Sequence, residues 1–450
     1  MTALDPLNVA ATTIFFLAIA HTLLAARVTA IARRIQERHD RRFRAPGRDA
    51  SPSIMAEAVH FFGEVEVVFA LWVVPLMVVF ALNRGWEATT HYLNDTVTYT
   101  EALFVVVIMV LASTRPILTF AEAALRRLAT IGGCTPAAWW VTILTVGPLL
   151  GSFITEPAAM TICALLLGRQ FYDLQPTARL KYATLGLLFV NVSIGGTLTH
   201  FAAPPVLMVA RPWEWDTGFM LAHFGWRAAL VMAISTAVYF VLFRTHFAEL
   251  ASRAPVPDVE QPSEDAVVAG GALLHIPAWI TAVHMAFMAW TVLTSHYPAL
   301  FIGGFLFFLG FSKATAPYQS LLDLKSPMLV GFFLAGLVIH GGLQGWWIGP
   351  LLARLSELPL FFGSVFLTAF NDNALITYLG TLVPGLDETR RIALVEGAVI
   401  GGGLTVIANA PNPAGQALLG RFFDGTIQPL PLLLGALPAT LIAIAVFRLS

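Results

Sequence analysis

Two stretches of this chain read almost alike: Gly195-Gly196-Thr197-Leu198-Thr199, running on to Pro204-Pro205, and Gly401-Gly402-Gly403-Leu404-Thr405, running on to Asn409-Ala410-Pro411-Asn412-Pro413. Each interrupts a long apolar run. Adjacent glycines let backbones approach closely, and the prolines that follow keep a regular helix from resuming. A second break precedes each copy and carries a carboxylate: Gly151-Ser152-Phe153-Ile154-Thr155-Glu156-Pro157 in the first half, Phe370-Asn371-Asp372-Asn373-Ala374 in the second. Pro157 has no N–H to donate, and Asn and Asp satisfy turn backbone with their own side chains. Both breaks therefore predict a helix-turn-helix hairpin rather than a straight segment.

The hydrophobic fraction is 57% and the charged fraction 12%, with a mean hydropathy of +0.75. Soluble domains carry about 25% charged residues, so the composition predicts an all-α polytopic protein in a lipid bilayer. A net charge of −1 gives no reason to expect a nucleic-acid partner. Cys134 and Cys163 lie in or beside apolar segments and read as packing residues. The first apolar run has no basic region before it and no Ala-x-Ala after it, so it reads as a retained span.

A span needs about 20 apolar residues. Candidates are 7–28, 58–82, 101–119, 183–210, 226–243, 272–294, 327–345, 392–419 and 428–448, with a short one at 298–311. The hairpins cover about 136–168 and 358–384, and the broken helices about 183–210 and 392–419. Each half then holds three spans, a re-entrant hairpin, a broken helix and a final span. Five crossings is an odd number, so the second repeat (272–450) starts on the opposite side from the first (1–245), with a linker at 246–271. Inverted repeats with broken helices at matching places are the pattern of a secondary transporter whose site lies at the midplane. The segment 33–53 reads as a loop, and its arginines (Arg33, Arg34, Arg38, Arg41, Arg42, Arg44, Arg48) place it in the cytoplasm, which puts both termini outside. The pairs Trp139-Trp140 and Trp346-Trp347 read as membrane-interface markers.

Glu156 and Asp372 are the candidate proton- and cation-binding groups. A carboxylate near the bilayer centre costs roughly 2.5–3.5 kcal/mol on insertion scales and is rare unless functional. In general, burial favours the protonated carboxyl and a bound cation the carboxylate, so such a group can exchange one for the other. The plainer alternative is a carboxyl that caps its hairpin turn. Thr155, Thr197, Thr199, Asn371, Asn373, Thr405, Asn409 and Asn412 supply the hard oxygens that an alkali cation takes, together with unwound carbonyls. Any one of these threonines could instead back-bond within its own helix. His200 is a candidate pH sensor or a satisfied structural histidine. Glu64, Glu66 and Glu396 read as acids a turn or two into their spans, facing a cavity or paired, with His60 as one partner.

The motifs Thr155-Glu156-Pro157-Ala158-Ala159-Met160-Thr161, Asn371-Asp372-Asn373-Ala374 and Gly403-Leu404-Thr405-Val406-Ile407-Ala408-Asn409-Ala410-Pro411-Asn412-Pro413 resemble a sodium/proton antiporter family, from about residue 55 to the end. That family resembles part of the ion transporter superfamily, with its citrate, dicarboxylate and arsenite transporters. The resemblance implies a scaffold and a transport domain, elevator-like movement and a homodimer. The dicarboxylate branch carries Ser-Asn-Thr at its hairpin tips; two acids there repel an anion and favour exchange of Na+, or another monovalent cation, for H+. The expected setting is a bacterial inner membrane, with Na+ and H+ as transported ions and no cofactor. Alternatives are ion-coupled transport of an organic anion or metalloid oxyanion, met by a half-helix N-terminus, or an intramembrane enzyme. No His-Glu-x-x-His, Gly-x-Gly-Asp or Gly-x-Ser-Gly falls in a span, so an enzyme is not expected.

Overall fold

The computed structural model describes residues 5–43, 53–253, 274–423 and 427–449. Every regular element among them is helical. Among the described residues, five helices are single runs long and apolar enough to cross a membrane: Pro6–Ala25, Glu66–Arg84, Pro136–Ile154, Thr217–Leu242 and Pro429–Leu449. Two bent pairs bring the number to seven: Trp86–Thr96 with Thr100–Ala112, bent by 53°, and Lys325–Gly341 with Gly345–Leu352, bent by 83°.

The chain folds into two compact units, each drawn from both halves of the sequence. The first comprises Met1–Ala102, Met328–Leu355 and Tyr378–Leu386. Its opening helix, Pro6–Phe43, runs through Arg33, Arg38 and Arg42, so the first part of the expected loop 33–53 is helix. Arg, Gln and Glu are good helix formers, and no Gly or Pro intervenes before Pro46. Arg44 and Arg48 lie outside the described residues. Gly63 splits the expected span 58–82 into Ile54–Phe62 and Val65–Arg84. The split arises where Gly63 seats on the first helix: a methyl there would come within 2.6 Å of Thr29 Oγ1. Glu64 is therefore at a helix start, not inside a span, and its carboxylate lies 3.6 Å from His60. Gln344 ties the bent pair together by donating to His340 O at 3.0 Å and accepting from Trp347 Nε1 at 2.9 Å, and it joins the pair to the opening helix by accepting from Thr12 Oγ1 at 2.9 Å.

The second unit comprises Leu103–Pro327, Ser356–Thr377 and Asp387–Ser450. Pro136–Ile154 and Glu156–Gln170 form a tight hairpin, closed where Cys163 Sγ reaches Ile143 O at 3.5 Å. Ala178–Gly195 crosses Pro429–Leu449 at two small residues, Gly186 against the Ala436 backbone and Gly435 against that of Tyr182. Packing of this closeness is what drives helix association where lipid removes the hydrophobic incentive. The second hairpin differs from the first. Its arm Glu357–Thr368 packs along Glu388–Gly401, and its other arm, Asn373–Thr381, ends in the first unit. Trp139 and Trp140 are buried, and Trp140 Nε1 donates to Thr184 Oγ1 at 2.9 Å, so this pair packs inside the unit rather than marking an interface. The helix Arg244–Arg253 leads into the expected linker, most of which, with Asp258 and Glu260, lies outside the described residues.

Candidate cation site

Every residue of the expected site lies in the second unit. At the first hairpin tip Thr155 has φ 75° and ψ 151°. That region belongs almost entirely to glycine, and a β-branched residue there stores on the order of 1–3 kcal/mol. The turn starts the helix Glu156–Gln170 with Pro157 in its first turn, where a missing N–H costs nothing. Glu156 is thereby fully buried, and Asn409 Nδ2 donates to its Oε2 at 3.2 Å. Gly196 lies flat against the same side chain; a methyl there would stand 2.5 Å from Glu156 Cγ.

Ser152 joins this tip to the broken helix. Its Oγ donates to Gly195 O at 2.6 Å and accepts from Leu198 N at 2.9 Å, while Thr199 Oγ1 donates to Ser152 O at 2.6 Å. Thr197 Oγ1 donates to Ile194 O at 2.7 Å, the back-bond within its own helix. His200 is half-buried, with Nδ1 2.8 Å from Thr217 Oγ1.

At the second tip Asp372 is nearly buried, and its Oδ1 accepts from Ala374 N at 2.8 Å. Asn373 follows it, fully buried. Thr405 Oγ1 donates to Ala369 O at 2.8 Å. Asn412 Nδ2 braces the unwound segment by donating to Gly402 O and Thr405 O, each at 2.8 Å. Asn371 is half-buried and its amide reaches only Leu367 O, at 3.5 Å.

Buried polar atoms are normally paired. Here Thr155 Oγ1, Glu156 Oε1, Thr368 Oγ1, Asn409 Oδ1, Asn412 Oδ1 and both polar atoms of the Asn373 amide have no hydrogen-bond partner among the described residues. All lie on the hairpin tips and broken helices, and all but Asn373 Nδ2 are oxygens. Such a set suits a hard, weakly demanding cation. Thr368 and Ser152 escaped the sequence reading. Ser152 stands in the break that carries Glu156, beside Gly151, and that position was its only local signal.

Glu396 is satisfied away from the tips. Arg227 Nη1 lies 2.8 Å from one oxygen and Arg448 Nη1 3.4 Å from the other, and Arg448 also pairs with Glu357. A buried acid held by two arginines is a structural ion network, and removing one partner would leave a costly unpaired charge.

No curated protein matches the sequence. The long apolar helices make this an integral membrane protein. A family match spans residues 6–450, and the chain belongs to that family, described as "Putative Na+/H+ antiporter".

Proposed function

We propose that the protein is a secondary active transporter that exchanges Na+, or another monovalent cation, for H+ by alternating access. The observation that carries this reading is the fully buried Glu156 carboxylate, which has one side-chain hydrogen bond, to Asn409, and stands beside two residues, Thr155 and Asn409, whose own side-chain oxygens have no partner. Such a group holds a proton or a cation, and the change between them is the exchange step. Thr155 and Asn409 complete the cation shell at the first tip; Asn373, Thr405 and Asn412 bear on it from the second repeat. Thr197, Thr199 and Asn371 act through the backbone of the breaks, and His200 is a candidate for pH sensing from its edge. The family supports the ion class. Inverted repeats, elevator-like movement, a homodimer, a bacterial inner membrane and outward termini complete the proposal.

Asn409→Ala removes a neutral ligand and leaves the proton carrier, so the half-saturating cation concentration should rise while the maximal rate persists at high cation. Thr405→Val should act in the same direction through the unwound segment. The measurement is dye-reported ΔpH collapse in proteoliposomes over a Na+ series. An unchanged half-saturation in both variants removes these residues from the site. Orientation is tested by single cysteines: Arg42→Cys should label only from the cytoplasm and Asp95→Cys only from outside. Labelling of both from one side would end the five-crossing repeat.

A further inference from the structure

The two hairpin tips are related by a constant shift in numbering. Asn191 Nδ2 donates to Leu144 O at 2.7 Å, and the corresponding contact in the second repeat is Gly397 against Phe361 O. A methyl on Gly195 would stand 2.6 Å from Pro148 O, and one on Gly401 2.6 Å from Val365 O. Thr199 donates to Ser152 O, and Thr405 donates to Ala369 O. In every case the broken-helix residue is displaced by 206 positions (191 to 397, 195 to 401, 199 to 405) and the hairpin residue by 217 (144 to 361, 148 to 365, 152 to 369). The broken helices also meet at equivalent places, where Ser193 Oγ donates to Val399 O at 2.7 Å. A contact between a residue and its own counterpart is what a local two-fold relation produces.

Carried to the tips, the same shift leads from Glu156 to Asn373 and from Thr155 to Asp372. Side-chain contacts agree: Gly196 backs Glu156, and Gly402, its counterpart, backs Asn373, with a methyl there 2.9 Å from Nδ2. Helix starts agree too, since Glu156 and Asn373 each open the second arm of their hairpins. The two acids are thus one position out of register.

We infer that the two tips are unequal half-sites in which Asn373, not Asp372, is the counterpart of Glu156, and Asp372 is a positioning residue that caps the helix bearing Asn373. One tip presents a carboxylate and the other a neutral amide, so a single acid stands at the exchange position. The effect of Asp372 on transport runs through the placement of Asn373, whose helix it caps at Ala374 N. The transport side of this inference rests on the exchange reading above; the register does not.

Moving the acid tests it. Glu156→Asn should lose ΔpH-driven exchange, and adding Asn373→Glu should restore part of it, because the acid returns to an equivalent place. Adding Asp372→Glu to Glu156→Asn should restore none. Rescue by Asp372→Glu, or by neither change, would overturn the register. A second measurement needs no transport: Asp372→Ala should melt below the native protein in detergent, and Asp372→Asn, which can still cap, should recover the loss. Equal melting of the two variants would overturn the cap. Should Glu156→Asn retain exchange, the antiport reading fails and the melting pair still decides the positioning role.

Discussion

Glu156→Gln is expected to reduce cation-driven proton movement to the background of empty vesicles while the protein still inserts and folds. The amide keeps the size of the carboxyl and can still meet Asn409, which donates to Glu156 at 3.2 Å. It loses the ability to alternate between proton and cation. Removing a buried charge does not threaten the fold, since a neutral group of the same shape avoids its desolvation cost. The native protein should show the complementary behaviour. On the exchange reading, protons and cations compete for one carboxylate, so acidification should weaken apparent cation affinity. In the pH range where the proton is the dominant occupant, the half-saturating concentration should rise by about tenfold for each unit of acidification, the slope for one linked proton. Residual activity in the glutamine variant should lose that dependence. Normal exchange with an unshifted pH profile would remove Glu156 from the transport cycle and with it the main support for cation/proton exchange.

A large loss of stability is expected from Gly403→Ala. Gly403 sits against the backbone of Val190, where the two broken helices cross, and a methyl there would stand 2.6 Å from the Val190 nitrogen. Backbone on both sides cannot swing away as a side-chain tip can. Overpacking a well-packed site typically costs about 1–3 kcal/mol and occasionally more, and this contact belongs at the upper end. The shift would also carry Gly402 and Thr405 away from Asn373 and Ala369, so transport should fall further than the melting temperature alone explains. Gly363→Ala is the control, because a Cβ at that position meets nothing within 4 Å. If both variants melt alike in detergent, the broken helices do not cross as closely as described.

Much of this molecule was legible before any coordinates. Helix breaks at Thr155, Asn371 to Asp372, Gly196 to Ala203 and Gly402 to Pro411 follow from local chemistry, because Gly, Pro, Asn and Asp alter backbone preferences within a residue or two. The apolar runs and the acids at the breaks were equally local, and they directed attention to Glu156, Asn409 and Asn412. The helical course of Arg33 to Arg42 was also written there, in a run of good helix formers, although the charge pattern drew the eye to a loop.

Partnership was decided only by the tertiary structure. Glu156 meets Asn409 across 253 positions, and Glu396 meets Arg227 across 169. Trp140 turns inward to Thr184, and Ser152 ties a hairpin to a broken helix. Nothing in the neighbouring residues encodes these choices, because each depends on which helix faces arrive together once the glycines have let the backbones close. The register of the two tips is the clearest case. Read along the chain, Glu156 and Asp372 are the matching acids of matching breaks. Packed, the contacts of Gly196 and Gly402 match Glu156 with Asn373, since side-chain direction at a hairpin tip changes with every residue of the turn. Composition and local backbone chemistry determined where the chain bends and which groups reach the bends; packing across hundreds of residues decided which of those groups stand in equivalent places.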